Sequence, residues 1–194
     1  MNFCCRAIPM GRPFSRRLID AICGLSKPFH HVKLKKETKL DLNMWLAFLK
    51  DYNGISLFHD RYWVSNADEQ LFTDSAGGKN LGFGIYFRGQ WVHGKWPTEW
   101  HRLGITSDIM TLELFPILVA LFIWCSKLKN KKIKFNCDNI AVVCILNKLS
   151  SKSDRVMSLV RLLTLHCLRH NIWVKATHVP GVENTICDCC LVHS

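Results

Sequence analysis

Three short strand-like segments follow one another between residues 70 and 96, and every later strand-like segment is preceded by a helical pattern. The first three are Gln70–Thr73, Gly82–Phe87 and Gln90–Trp96, and glycine-containing turns separate them. Consecutive short strands of this kind form an antiparallel meander, whereas strands that are separated by helices typically run parallel to a neighbour. The pattern therefore predicts an α/β fold with a mixed sheet.

The rest of this region has the order helix, strand, two helices, strand and a last short helix. Alternation of apolar and polar residues predicts a half-buried strand at Lys132–Cys137, and a last strand is predicted at Ile172–Thr177. The predicted helices are 108–128, 139–149, 154–170 and a last one capped by Asn184. Because the fourth and fifth strands need helical crossovers to run parallel to the first, we expect a five-stranded mixed sheet flanked by helices.

Residues 1–66 differ in pattern and are predicted to form a mainly helical connector before an α/β domain at residues 67–194. Apolar residues recur at helical spacing in Pro13–Ala21 and in Lys39–Leu49. The segment His30–Leu34 between them is predicted to be extended. The connector shows no obvious core of its own, so we expect it to pack on something else.

The chain is strongly basic. Lys and Arg outnumber Asp and Glu by 26 to 15, which gives a formal net charge of +11. Such an excess favours an anionic partner, either nucleic acid or a membrane surface, and a solvated basic face is the simpler alternative. The longest apolar run, Leu114–Cys125, is shorter than the roughly 20 residues that span a bilayer. It is predicted to be a buried helix, and no membrane partner is expected.

Ten cysteines raise the question of a secreted disulfide scaffold. The start of the chain, Met1–Arg6, has no apolar stretch of signal-peptide length. We therefore expect reduced thiols in an intracellular protein of the nucleus, the cytoplasm or both, and not a secreted one. Cys187, Cys190 and His193 have the spacing of half a zinc motif, but no second pair accompanies them, so zinc there is the minor interpretation.

Four acids are placed where the predicted fold would bring them together: Asp74, Glu113, Asp138 and Asp188. Asp74 and Asp138 end strands that are predicted to be parallel neighbours, and ligands gather outside the carboxyl ends of such strands. Glu113 begins a long apolar helix, where burial would be costly without a metal or a partner; a favourable contact with the helix dipole is the alternative. Clustered carboxylates repel one another near neutral pH unless divalent cations neutralise them, which indicates Mg²⁺.

These acids lie in motifs that together resemble the D-E-D-D series of type 1 ribonucleases H. The motifs are Phe72–Ala76, Thr111–Leu114, Asn136–Asn139 and His178–Asn184 followed by Asp188. The residues of these motifs are most similar to those in the ribonuclease H domain of DIRS-type retrotransposon reverse transcriptases. Further segments that share this resemblance are Gly11–Phe14, Tyr52–Gly54 and Asn147–Ser153.

The resemblance implies a ribonuclease H-like fold and a Mg²⁺-dependent endonuclease that hydrolyses the RNA strand of RNA–DNA hybrids. It implies that two Mg²⁺ ions, with Mn²⁺ as a substitute, are bound by Asp74, Glu113, Asp138 and Asp188. The polymerase portion of a reverse transcriptase is the implied protein partner. A catalytically inactive nucleic-acid-binding remnant of the same retroelement protein is the alternative.

The resemblance also identifies His178 as a loop histidine that assists product departure or proton transfer; an ordinary surface position is the alternative. The candidate contacts to nucleic acid are Ser75, Asn139 and Lys152. The basic run from Lys127 to Lys134 is interpreted as an exposed turn whose lysines meet phosphates rather than as a nuclear signal.

Related functions fit the motifs less well. No Tyr/Phe-x-Asp-Asp segment of a polymerase occurs, transposases require an Asp-Asp-Glu order, and proofreading exonucleases require Asp-x-Glu at the first strand. The chain by itself is expected to be a weak enzyme, because Asp188 lies in a terminal helix too short to be stable alone.

Overall fold

The computed structural model describes residues 3–27, 29–50, 70–78 and 81–181. The chain divides into two units, Met1–Arg61 and Tyr62–Ser194. The boundary predicted between residues 66 and 67 lies outside the described residues, and so do the predicted last helix and Asp188.

The first unit has three described α-helices, one 3₁₀ helix and a small aromatic core. Its elements are α1 (Cys4–Ala7), a 3₁₀ helix (Pro9–Phe14), α2 (Arg16–Ile22) and α3 (Lys36–Lys50). Trp45 is 1% exposed, its Nε1 donates to Ser15 Oγ at 3.1 Å, and Phe48 packs against both Trp45 and Phe14. The expectation of no obvious core is wrong. Trp45 and Phe48 lie three residues apart on α3 and pack against Phe14 and Ser15, and this contact between distant segments has no local sequence pattern. The segment His30–Leu34 contains no strand.

Five strands of the second unit form one mixed sheet in the order β3-β2-β1-β4-β5. The strands are β1 (Gln70–Ser75), β2 (Gly82–Phe87), β3 (Gln90–Lys95), β4 (Lys132–Cys137) and β5 (Trp173–His178). The first three pair antiparallel, while β4 runs parallel to both β1 and β5. This topology confirms the predicted fold class.

The described α-helices of the second unit are α4 (Thr98–Arg102), α5 (Ile109–Ile123), α6 (Cys125–Leu128), α7 (Ile140–Lys148) and α8 (Asp154–His170), and a short 3₁₀ helix (Ile105–Ser107) lies between α4 and α5. The single helix predicted at 108–128 is therefore two helices that meet at Trp124. That residue leaves helical geometry, with φ −100° and ψ 20°, because its indole is buried against Phe87 and donates to Gln90 Oε1 at 2.8 Å.

Helix α5 forms the centre of the second unit, where it packs against β1, β2 and α8. Leu112, Ile117 and Leu121 are completely buried, as expected for a helix that is apolar on all faces. Within the described ranges, no helix combines the length and the apolar content that crossing a bilayer requires. The cysteines in those ranges form no disulfide.

Candidate active site

Asp74 and Asp138 approach one another because β1 and β4 are parallel neighbours. The register pairs Phe72 with Asn136, two residues before each acid. Asp74 is 6% exposed, and its Oδ1 accepts a hydrogen bond from the backbone N–H of Ser75 at 2.8 Å. The two carboxylates therefore lie at the same end of the sheet: Asp74 is the penultimate residue of β1, and Asp138 directly follows β4.

Glu113 reaches the same place from α5. One of its carboxylate oxygens lies within 4.8 Å of a carboxylate oxygen of Asp138 and of Cys137 Sγ. The N-terminus of α5 is capped by Asp108, which accepts from the backbone N–H and the hydroxyl of Thr111 at 3.3 and 2.8 Å. Asp108 already accepts hydrogen bonds at the N-terminus of α5, and Glu113 is the fifth residue of that helix. An interaction with the helix dipole therefore does not explain why an acid is buried at position 113.

The pKa of the Glu113 carboxyl reflects its burial and the charges of the neighbouring acids. Burial, and after it the charges of Asp138 and Asp74, raise the pKa of Glu113 from 4.5 to about 8, while the Ser75 hydroxyl acts in the opposite direction. Without a cation, this carboxyl therefore keeps its proton at neutral pH. Glu113 Oε2 and Asp138 Oδ1 are buried and have no hydrogen-bond partner among the described residues. Unpaired buried acceptors of this kind favour a cation or a donor at the cluster.

Cys137 lies among the carboxylates, although the sequence motifs gave it no role. Burial raises the pKa of its thiol to about 12, so the sulfur stays protonated. Its Sγ accepts from the backbone N–H of Asn139 at 3.4 Å. A neutral thiol is a poor ligand for a hard cation, so we assign Cys137 to the wall of the site. The apolar end of the Lys132–Cys137 alternation, directly before Asp138, was the available signal.

The segment after β5 borders the same cluster. His178 is the last residue of β5 and is exposed, and the next residue, Val179, donates its N–H to the carbonyl of Cys137 at 3.1 Å. A Cβ atom on Gly181 would lie 4.0 Å from Asp138 Oδ2. The backbone of residues 178–181 therefore passes the acids and leaves the His178 imidazole open to solvent.

The three candidate nucleic-acid contacts occupy different environments. Ser75 is 7% exposed and lies beside Glu113, inside the cluster. Asn139 caps α7, and its Oδ1 accepts from the backbone N–H groups of Ala141 and Val142 at 3.0 and 3.2 Å. Lys152 is exposed between α7 and α8. Their contacts to nucleic acid stay predictions, and Asp188 lies outside the described residues.

The mixed five-stranded sheet, its order and its flanking helices agree with what the sequence resemblance implied about the fold. The second unit has a ribonuclease H-like fold. No protein-family model matches the sequence, and no curated protein matches it significantly.

Solved structures to which this chain is similar include several ribonucleases H. Ribonuclease H1 from the halophilic archaeon Halobacterium salinarum has 16% identity and a TM-score of 0.43, with 62% of this chain and 91% of that chain covered. LC11 ribonuclease H1 in complex with an RNA/DNA hybrid has 13% identity and a TM-score of 0.47, with 64% and 94% covered. The N-terminal ribonuclease H domain of a Mycobacterium tuberculosis protein has 12% identity and a TM-score of 0.45, with 63% and 91% covered.

Proposed function

We propose that the second unit is a Mg²⁺-dependent nuclease that hydrolyses the RNA strand of RNA–DNA hybrids. The observation that carries this proposal is the meeting of Asp74, Glu113 and Asp138 at one end of two parallel strands. A buried acidic cluster in a chain of net charge +11 suits a reaction in which basic surfaces hold a phosphate backbone and the acids hold cations.

The donor set fits a hard divalent cation. Asp74, Glu113 and Asp138 offer carboxylate oxygens, which are the ligands that Mg²⁺ prefers, and Mn²⁺ accepts the same donors. Glu113 Oε2 and Asp138 Oδ1, which have no hydrogen-bond partner among the described residues, are available for coordination. Asp188 is proposed as the fourth ligand.

When bound, two cations would polarise the scissile phosphate and supply an activated water near neutral pH. The chain's own groups prepare the site for this chemistry. The N–H of Ser75 orients Asp74, and Glu113 releases its proton when a positive charge replaces it. His178, an exposed residue that pairs with Cys137 in the sheet, is proposed to exchange a proton with the leaving group or to assist product departure.

We also propose that the chain is the ribonuclease H part of a retrotransposon reverse transcriptase of the DIRS type. In this proposal residues 1–66 are the end of the connection region, and the upstream polymerase portion is the partner, in the nucleus or the cytoplasm. The support is the sequence resemblance alone, including the segments Gly11–Phe14 and Asn147–Ser153.

The test is cleavage by the purified chain of a labelled RNA–DNA hybrid, single-stranded RNA and duplex DNA, with Mg²⁺, Mn²⁺ or EDTA. We expect cutting of the hybrid RNA alone, with 3′-hydroxyl and 5′-phosphate ends, because the nucleophile is water rather than the ribose 2′-hydroxyl. Equal cutting of duplex DNA, or undiminished activity in EDTA, would contradict the proposal. Hybrid binding without any cleavage would favour the inactive remnant.

A further inference from the structure

A second group of ligand side chains lies beyond the other end of α5. The side chains of Cys125, His166 and His170 each place one potential ligand atom within 4.8 Å of the other two. From residue 113 to residue 125, a helical rise of about 1.5 Å per residue corresponds to roughly 18 Å. This Cys-His cluster, defined as Cys125, His166 and His170, is therefore separate from the carboxylates.

The two histidines lie on one face of α8, because they are four residues apart in a helix. Their ring centroids are 4.6 Å apart. His166 is 8% exposed, and its Nε2 lies 3.1 Å from the carbonyl oxygen of Leu121 on α5. A carbonyl only accepts, so Nε2 carries the proton and Nδ1 keeps a free lone pair in the neutral ring. Metal-bound histidines commonly donate their other ring N–H in this way.

The environment keeps His166 in the form that binds metals. Burial lowers the pKa of His166 below its ordinary value, and the nearby His170 and Arg169 act in the same direction, against the hydrogen bond to Leu121. The ring is therefore neutral at physiological pH, as coordination requires. The ring centroids of Phe122 and His166 are 4.2 Å apart, so the phenyl ring packs against the imidazole.

Cys125 is held beside α8 by its neighbours on both sides. Trp124 is 5% exposed, and its ring centroid lies 5.4 Å from that of Phe87 in β2. Leu128, at the other end of α6, is completely buried. Cys125 itself is a free, partly buried thiol. Its sulfur therefore faces the histidines through the packing of α6 rather than through a flexible loop.

We propose that Cys125, His166 and His170 bind one Zn²⁺ ion and leave a fourth position for water. One thiolate and two imidazoles form a donor set that zinc accepts and that Mg²⁺ does not favour. Coordination uses a cysteine in its thiolate form and histidines in their neutral form. Bond lengths of about 2.0–2.3 Å place tetrahedral donors roughly 3.5 Å apart, so small side-chain rotations complete the site. The ion joins the α5–α6 junction to the C-terminal end of α8.

The test is a titration of the metal-free full chain with Co²⁺, in the presence of excess Mg²⁺ that occupies the carboxylates. Cobalt bound by a thiolate absorbs strongly in the near ultraviolet, and we expect this absorption to saturate at one equivalent and to disappear when Zn²⁺ is added. Cys125→Ser should abolish it, and His170→Ala should weaken Co²⁺ affinity by more than about tenfold. Cys144→Ser, which removes an exposed thiol elsewhere, is the matched control and should change nothing.

The second readout is the unfolding temperature with and without Zn²⁺. Zinc should raise it in the wild type and in Cys144→Ser, but not in Cys125→Ser, because an ion that binds only the folded chain stabilises it. A thiolate band that persists in Cys125→Ser would overturn the proposal. So would a band lost only in a Cys187→Ser/Cys190→Ser variant, which would place the metal on the terminal motif. Both readouts are independent of hybrid cleavage, so failure here leaves the nuclease proposal to its own test.

Discussion

Asn147 on α7 pairs with the backbone of Ala176 in β5 through two hydrogen bonds. Its Nδ2 donates to the Ala176 carbonyl at 2.9 Å, and the Ala176 N–H donates to its Oδ1 at 3.0 Å. β5 lies at the edge of the five described strands, so one row of its backbone groups has no partner among those strands. The amide of Asn147 replaces that partner two residues before His178 and so fixes the strand that leads to the acidic cluster.

Asn147→Ala is expected to lower the free energy of unfolding by about 1–3 kcal/mol, because it leaves the N–H and carbonyl of Ala176 without their side-chain partner. Urea denaturation measures the change. Lys148→Ala, at the exposed neighbouring position, is the matched control and should change stability by less than about 0.5 kcal/mol. Equal effects of the two substitutions would show that the amide pair contributes nothing specific.

Asp138→Asn is expected to abolish hybrid cleavage while hybrid binding persists or tightens slightly. The substitution removes a ligand charge from the cluster, reduces repulsion of the phosphates and leaves the basic surface unchanged. Cleavage assays and fluorescence anisotropy with a labelled hybrid measure the two effects. Glu99→Gln makes the same chemical change at an exposed position and should retain full activity. Loss of binding together with cleavage in Asp138→Asn would contradict the assigned role.

His178→Ala is expected to slow turnover without abolishing it, because the exposed imidazole is not a metal ligand in this proposal. Comparison of single-turnover with multiple-turnover rates distinguishes a slowed chemical step from slowed product departure. If His178→Ala proves as inactive as Asp138→Asn, the histidine is needed for the site itself and its proposed role is wrong.

Glu113 is expected to make the metal-free chain sensitive to pH. The pKa of this carboxyl rises from 4.5 to about 8 on folding, so between these values the folded chain binds more protons than the unfolded chain. The stability from this group is present below pH 4.5 and is lost as the pH rises through 8, by roughly 3–5 kcal/mol. In EDTA at pH 8, Glu113→Gln should therefore be more stable than the wild type.

Denaturation curves between pH 5 and 9 measure this dependence, and Glu99→Gln serves as the control with an unchanged slope. Saturating Mg²⁺ should restore the stability of the wild type at high pH and have little effect on Glu113→Gln. If the free energy of unfolding of the wild type in EDTA does not fall between pH 5 and 9, ionisation of the Glu113 carboxyl does not destabilise the folded chain and the prediction is wrong.

Several elements were predictable from sequence because their signals are local. Gly82–Phe87, Lys132–Cys137 and Asp154–His170 have the bounds that alternation and helical periodicity predict. Alternation depends only on residues within one strand, and Ser153 caps α8 with an oxygen that accepts from the N–H of Val156 three residues later. The parallel pairing of β1 with β4 was also predictable, because strands joined through a helical crossover follow a general geometric rule.

Other features depend on contacts between residues far apart in the chain, and only the tertiary structure decided them. The break at Trp124 is set by Gln90, 34 residues earlier. The sequence motifs identified Glu113 and Asp138 as candidates. Their carboxylate oxygens lie close together beside Cys137 because α5 packs against β1. No sequence spacing connects Cys125 with His166 and His170. They form one cluster because α8 packs against α5, and that packing depends on buried surfaces rather than on any local pattern.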